Sequence, residues 1–196
     1  KSMKGSCAKV QMDSKSRKSI KKAVEFTRKK FGKIDILINN AAISQEKPFE
    51  SITDDDFDQM MSVNLRGPFS LAQELIPDMV TSKWGRVVNI VSIGGQWGGY
   101  NQVHYAASKA ALINFTQSIA KIYSAHGITS NAISPGLVAT DMTSFELNTT
   151  LGRKKVSEIP IKRLGTAKEI GAAAVYLVSD EAAYITGQTI NLNGGM

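Results

Sequence analysis

"GRVVNIVS", Gly85 to Ser92, decides the fold. Val87, Val88, Ile90 and Val91 make a nearly unbroken β-branched run, the pattern of a strand buried on both faces. Such a strand needs helices above and below it. Working outward, "KIDILINNAA" (33–42), "TSNAISPG" (129–136) and "GQTINLNGG" (187–195) read as further strands ending in small or polar turns. "CAKVQMD" (7–13) reads as a strand entering a polar turn.

Helical patterns fill the intervals. In "SRKSIKKAVEFTRKKFG" (16–32), Ile20, Ala23, Val24 and Phe31 recur at helical spacing, with lysines on the other face. Thr53 is placed to cap "TDDDFDQMMSVN", whose three aspartates suit a helix N-terminus. A helix over 65–82 containing Pro77 follows, and another over 103–124 ends before Gly127. Thr166 and Glu169 form a capping box opening "TAKEIGAAAVYLVSD". This alternation predicts an α/β fold, a doubly wound parallel sheet with helices on both faces, as a single domain over 1–196. Ligands of such sheets bind beyond the carboxyl ends of the strands. Here small and polar residues collect at those ends: 39–42, 92–95 and 134–140.

Composition narrows the function classes. The chain has 196 residues, 42% of them hydrophobic, and a net charge of +7. The first 33 residues carry 12 of the 24 Lys and Arg against two acids, Asp13 and Glu25. The excess charge therefore belongs to one terminal segment, and no aromatic interleaving or recognisable motif points to nucleic acid. No apolar run reaches membrane-spanning length, so no membrane partner is expected. Cys7 is the single cysteine, and His104 and His126 are the two histidines. No disulfide, cysteine-based zinc site or histidine-rich metal centre is expected, which suits the cytoplasm.

The chemistry centres on "VHYAASKAAL" (103–112), where Tyr105 and Lys109 share one helix face a turn apart. A nearby ammonium favours the phenolate and should lower the tyrosine pKa, making it a usable proton donor and acceptor. Alone, the pair also fits a packed tyrosine beside a snorkelling lysine. Ser92 ends a strand thirteen residues earlier and is placed to hold a carbonyl oxygen, or simply to cap a turn. Asn39 and Asn40 follow an apolar strand, where amides need partners. Asn64 interrupts a helical pattern, which points to a specific bond. Pro135, Gly136 and Thr140 form a turn whose backbone amides suit an amide or phosphate ligand.

In their order and spacing, "NNAA", "VN" at Val63-Asn64, "NIVS", "YAASK" and "SPG" resemble the signature series of the short-chain dehydrogenase/reductases. "RLGTAKEIGAAAVYLVSDEAAYITGQTINLNGG" is similar to the C-terminal segment of that family, closest to its 3-oxoacyl-acyl-carrier-protein reductase branch. The resemblance implies a Rossmann-like domain that transfers a hydride between NADP or NAD and a ketone or secondary alcohol, including a substrate carried on an acyl carrier protein. It implies Tyr105 as proton donor, Ser92 as holder of the substrate oxygen, Lys109 as tuner of the tyrosine and ribose ligand, and Asn64 as holder of a relay water. By the same resemblance Asn40 and Ala41 line the adenosine side, Asp13 and Ser14 meet the adenine, and Val138 contacts the carboxamide. Gly94 and Trp97, in "GGQWGGYNQ", are expected to shape the substrate pocket, although Trp97 also fits an ordinary packing role. A homodimer or homotetramer is implied, paired through the helices over 65–82 and 103–124.

The chain departs from the family in three places. Ala42 stands where the family carries glycine, and Lys83 and His126 stand where the carrier-protein branch often has arginines. No Gly-x-x-x-Gly-x-Gly turn is present, so the first two strands of the fold, roughly 40–50 residues, are expected to be missing from this stretch. Residues 8–12 should then lack a strand neighbour, and 34–39 should form an open edge. The expectation is a longer protein that carries this segment; were the chain truly that short, it should bind NAD(P) weakly or not at all. Two further readings stay open: an enzyme of this family acting on a sugar, polyol or other small alcohol, and a cofactor-free scaffold.

Overall fold

A computed structural model describes residues 5–139 and 149–196. Four strands, β1 (Ile36–Asn39), β2 (Gly85–Ile90), β3 (Ile128–Pro135) and β6 (Thr189–Leu192), form one parallel sheet in the order β1-β2-β3-β6. A short parallel pair, β4 (Val138–Ala139) and β5 (Gly165–Thr166), stands apart from it. As expected, helices cover both faces. On one lie α1 (Arg17–Phe31), α3 (Gly67–Ser82) and α5 (Val103–Tyr123). On the other lies α7 (Ala167–Leu177). Three shorter helices, α2 (Asp54–Met61), α4 (Gly94–Trp97) and α6 (Thr150–Glu158), complete the described α-helices. No helix among the described residues is long and apolar enough to cross a membrane.

The alternation of β2 divides the core. Val87 packs with Ile20, Leu75, Met79 and Ile128 on the α1/α3/α5 face. Its neighbour Val88 packs with Ile133, Ala174 and Leu177 under α7. Each fully buried side chain of this size contributes about 1.5–3 kcal/mol of transfer free energy, so this central pair of strands holds the sheet. The caps at Thr53 and Thr166 are present as expected, each with its reciprocal carboxylate. Gly127 ends the turn after α5 at φ +76, where an added Cβ would lie 2.2 Å from the Lys83 carbonyl oxygen; only glycine fits there.

Three expectations need correction. Residues 7–13 carry no strand, because extended backbone becomes a strand only beside a partner, and β1 pairs with β2 alone. The open edge at β1 is as expected: Leu37 and Asn39 face the core while Ile36 and Ile38 are exposed. Phe31 is exposed at the last residue of α1, beyond the core that receives Ile20, Ala23 and Val24. Finally, the stretch 53–82 is not two separate helices. The helix α2 (Asp54–Met61) runs into α3 through a π-helical turn at Ser62–Arg66, closed by Gly67 N–H donating to the Ser62 carbonyl.

Candidate active site

The ends of β1, β2 and β3 open onto a cleft of about 970 Å³, with α5 on one wall and α7 on the other. Ser92, Tyr105, Lys109, Asn40, Ala41, Pro135, Gly136 and Val138 all line it. Ala42, at the family's glycine position, lines it as well.

Tyr105 and Lys109 face the cleft from the first two turns of α5. Helix α4 presses close to them: a Cβ on Gly95 would lie 2.9 Å from the Lys109 backbone. Ser92 hydrogen-bonds Tyr105 and accepts from the Gly94 amide at 3.1 Å. The Ser92 oxygen is thus oriented by backbone, with its proton left for the phenol or for a substrate oxygen. Lys109 is buried, and its Nζ donates to the Ile90 carbonyl at 2.9 Å. Burial pulls its pKa down to about 8.

The tyrosine behaves differently from expectation. Burial pushes the Tyr105 phenol above its usual range, and the Ser92 bond offsets only part of that rise. The Lys109 ammonium lies 5.7 Å from the ring centroid and is engaged with Ile90. The phenol therefore keeps its proton near neutrality, as a group that gives a proton must.

Asn64 makes the specific bond its helical position suggested. The π turn directs its amide inward, where Oδ1 accepts from Ile43 N–H and Nδ2 donates to the Ile43 carbonyl, both at 2.9 Å. Nδ2 also lies 3.1 Å from Ser108 Oγ, which donates to the Tyr105 carbonyl. π turns are often found at functional sites for this kind of redirection. Asn39 is satisfied within the sheet: in register with Asn89, it donates to the Asn89 side chain, which donates on to Thr116.

Other expected residues lie elsewhere. Asp13 and Ser14 do not line the cleft. Asp13 accepts from the Lys15 amide in the turn before α1, and Ser14 packs against Gly67. Gly94 supplies the amide that orients Ser92, while Trp97 is exposed at the end of α4, outside the cleft lining. Thr140 falls outside the described residues. Lys83 and His126 precede β2 and β3, at the opposite end of the sheet from the cleft. Two contributors were missed. Gln96 donates to Ser134 Oγ and Asn191 Oδ1, holding α4 over the ends of β3 and β6. Ala167, Gly171 and Ala174 of α7 line the second wall; the small-residue stripe in "AKEIGAAAV" was the available signal.

A buried ammonium with one backbone acceptor, a protonated phenol and an oriented serine thus meet at the carboxyl end of a parallel sheet, where ligands of such folds bind. The family described as Enoyl-(Acyl carrier protein) reductase matches residues 1–196, and the chain belongs to the short-chain dehydrogenase/reductases, NAD(P)-dependent oxidoreductases. Among individual relatives, it is 40% identical over 187 residues to 3-oxoacyl-[acyl-carrier-protein] reductase FabG of Aquifex aeolicus, covering 95% of this chain and 75% of that protein. The enzyme of that name from Escherichia coli is 39% identical over 178 residues, covering 91% and 72%. Nodulation protein G of Rhizobium meliloti is 42% identical over 163 residues, covering 83% and 66%.

The residues present fit the nicotinamide side of such a cofactor. Lys109 has donors to spare in a cleft wide enough for a ring and ribose, and Gly136 and Val138 line the same cleft as Tyr105.

Proposed function

We propose that the protein reduces a ketone to a secondary alcohol, with a 3-oxoacyl group, including one carried on an acyl carrier protein, as the substrate class. The observation that carries this reading is the joint placement of Ser92, protonated Tyr105 and buried Lys109 on one cleft wall. The names of its relatives support the acyl substrate.

When bound, NADPH or NADH supplies the hydride. Ser92 donates its hydroxyl proton as a hydrogen bond to the carbonyl oxygen, held in place by the Gly94 amide. Tyr105 donates its phenol proton to the same oxygen as negative charge develops there. Lys109 stabilises the resulting phenolate with its positive charge and binds the ribose. Asn64, anchored on both backbone groups of Ile43, holds the water through which Tyr105 is reprotonated. Asn40 and Ala41 line the adenosine side. The exposed Phe69 and Ile122, on α3 and α5, support pairing of those helices between two copies, and the exposed free Cys7 is in keeping with the cytoplasm.

A second substrate reading, a sugar, polyol or other small alcohol, is favoured by Lys83 and His126, which stand where the carrier-protein branch often has arginines for an acidic partner. Fluorescence titration with NADPH and with NADH is the first test; saturable binding is expected, and its absence would leave only a scaffold. Turnover of a 3-oxoacyl thioester is then compared with a panel of sugars and small ketones. Tyr105→Phe should lower kcat by about 10³-fold or more while cofactor affinity is kept.

A further inference from the structure

We propose that His104 is a positioning residue of this site, locked as its Nε2–H tautomer, tying the segment 43–47 to the first turn of the helix that carries Tyr105 and Lys109. Its catalytic consequence rests on the reductase reading above; the tautomer does not.

His104 is 1% exposed and directly precedes Tyr105. Its Nε2 lies 2.8 Å from Gln45 Oε1. The protonation of this contact is settled from its far end. Lys47, the Thr53 amide and Gln45 hold the Asp56 carboxyl well below the usual carboxylate range, so Asp56 only accepts. Gln45 must present its amide nitrogen to Asp56, at 2.9 Å, which leaves its oxygen for His104. Turning the amide over would set two acceptors against each other. His104 therefore donates from Nε2, and a second proton, on Nδ1, would be a buried donor with nothing to accept it. Nδ1 is buried without a hydrogen-bond partner among the described residues.

The chain of bonds matters because of what else the segment carries. Ile43 is the anchor of Asn64, and the Lys47 amide donates to the Asn101 carbonyl in the loop before α5. The segment 43–47 is thus fastened to the helical turn bearing Asn64, to the loop before α5, and through His104 to α5 itself. The first turn of α5 has no side-chain cap. The His104–Gln45 bond restrains that turn one residue from the catalytic phenol.

Two substitutions separate position from bulk. In H104Q the terminal amide nitrogen reaches where Nε2 sits; in H104N it reaches only as far as Nδ1. We expect H104N to lower kcat by about tenfold, the scale of a small misplacement of a reacting group, with the Kd for NADPH or NADH within about twofold. H104Q should recover most of the loss. An H104N enzyme as fast as the parent, or equal losses in both variants, would overturn the proposal. Two-bond ¹H–¹⁵N NMR of the histidine rings, assigned with His126→Gln, should show His104 protonated at Nε2 and bare at Nδ1 near pH 7. A proton on Nδ1 would overturn it even if no ketone were turned over, so failure of the lock and failure of the reductase reading give different results.

Discussion

Strand β2 has a buried cation at each end, and the two are held in opposite ways. Arg86, at its first turn of pairing, and Lys109, packed against its last residue, are each 3% exposed. The Arg86 guanidinium donates to the Gly85 and Gly127 carbonyls, faces Asp180 at 3.4 Å and lies 4.3 Å over the Trp84 ring. Burial lowers its pKa from a very high ordinary value, Asp180 opposes that shift, and its charge persists. The Lys109 ammonium donates to the Ile90 carbonyl and otherwise faces the cleft. Burial alone brings it within reach of titration near pH 8. Equal exposure thus yields a structural clamp where a guanidinium meets two carbonyls and a carboxylate, and a chemical group where an ammonium set deeper in the fold has one carbonyl.

The sharpest way to break this comparison is at Lys109. Lys109→Met should lower kcat by about 10²–10³-fold. In the parent enzyme the rate of carbonyl reduction should fall as the pH rises through about 8, as the ammonium is lost; that limb should vanish in the variant. The same group has an opposite signature in stability. Its folded pKa lies below the ordinary 10.5, so between about pH 8 and 10.5 the unfolded chain holds a proton that the folded chain lacks. Its contribution to stability therefore rises with pH across that window. Urea unfolding at pH 8 and 9.5 should show this slope in the parent and lose it in Lys109→Met.

Arg86→Met should do the reverse. Losing the donors to the Gly85 and Gly127 carbonyls should cost about 1–3 kcal/mol of stability, read from the urea midpoint, with kcat of the folded enzyme unchanged. A loss of activity exceeding the loss of folded protein would mean that the two ends of β2 are coupled. The smallest effect is expected at the open edge. Ile36→Lys should change stability by no more than about 0.5 kcal/mol, while sedimentation shows less self-association because a charge now blunts the β1 edge.

How much of this was legible followed the range of the interaction. The caps at Thr53 and Thr166 are complete within four residues, and both appeared as read. Tyr105 and Lys109 share a face by helical spacing alone, and the β-branched run of β2 demanded cover on both sides. Phe31 was misread because periodicity shows which face a residue occupies, not how far the core extends beneath it. The π turn at 62–66 was invisible, since one inserted residue in a helix leaves no compositional trace. His104 meets Gln45 across 59 positions, and Gln96 meets Asn191 across 95; nothing local announces such pairs.

By itself, then, the sequence determined the strand–helix alternation, the burial of β2 on both faces and the shared helix face of Tyr105 and Lys109, because each rests on residue type and local spacing; Ser92 and Asn64 joined that pair only through the resemblance to a family. Only the tertiary structure decided the protonation poise of that set. It buried the phenol and the ammonium together, gave the lysine a backbone acceptor and placed it 5.7 Å from the ring centroid. The result reversed the direction expected for the tyrosine. A pKa depends on the solvent and charges removed from around a group, and those are fixed only when distant segments close over it.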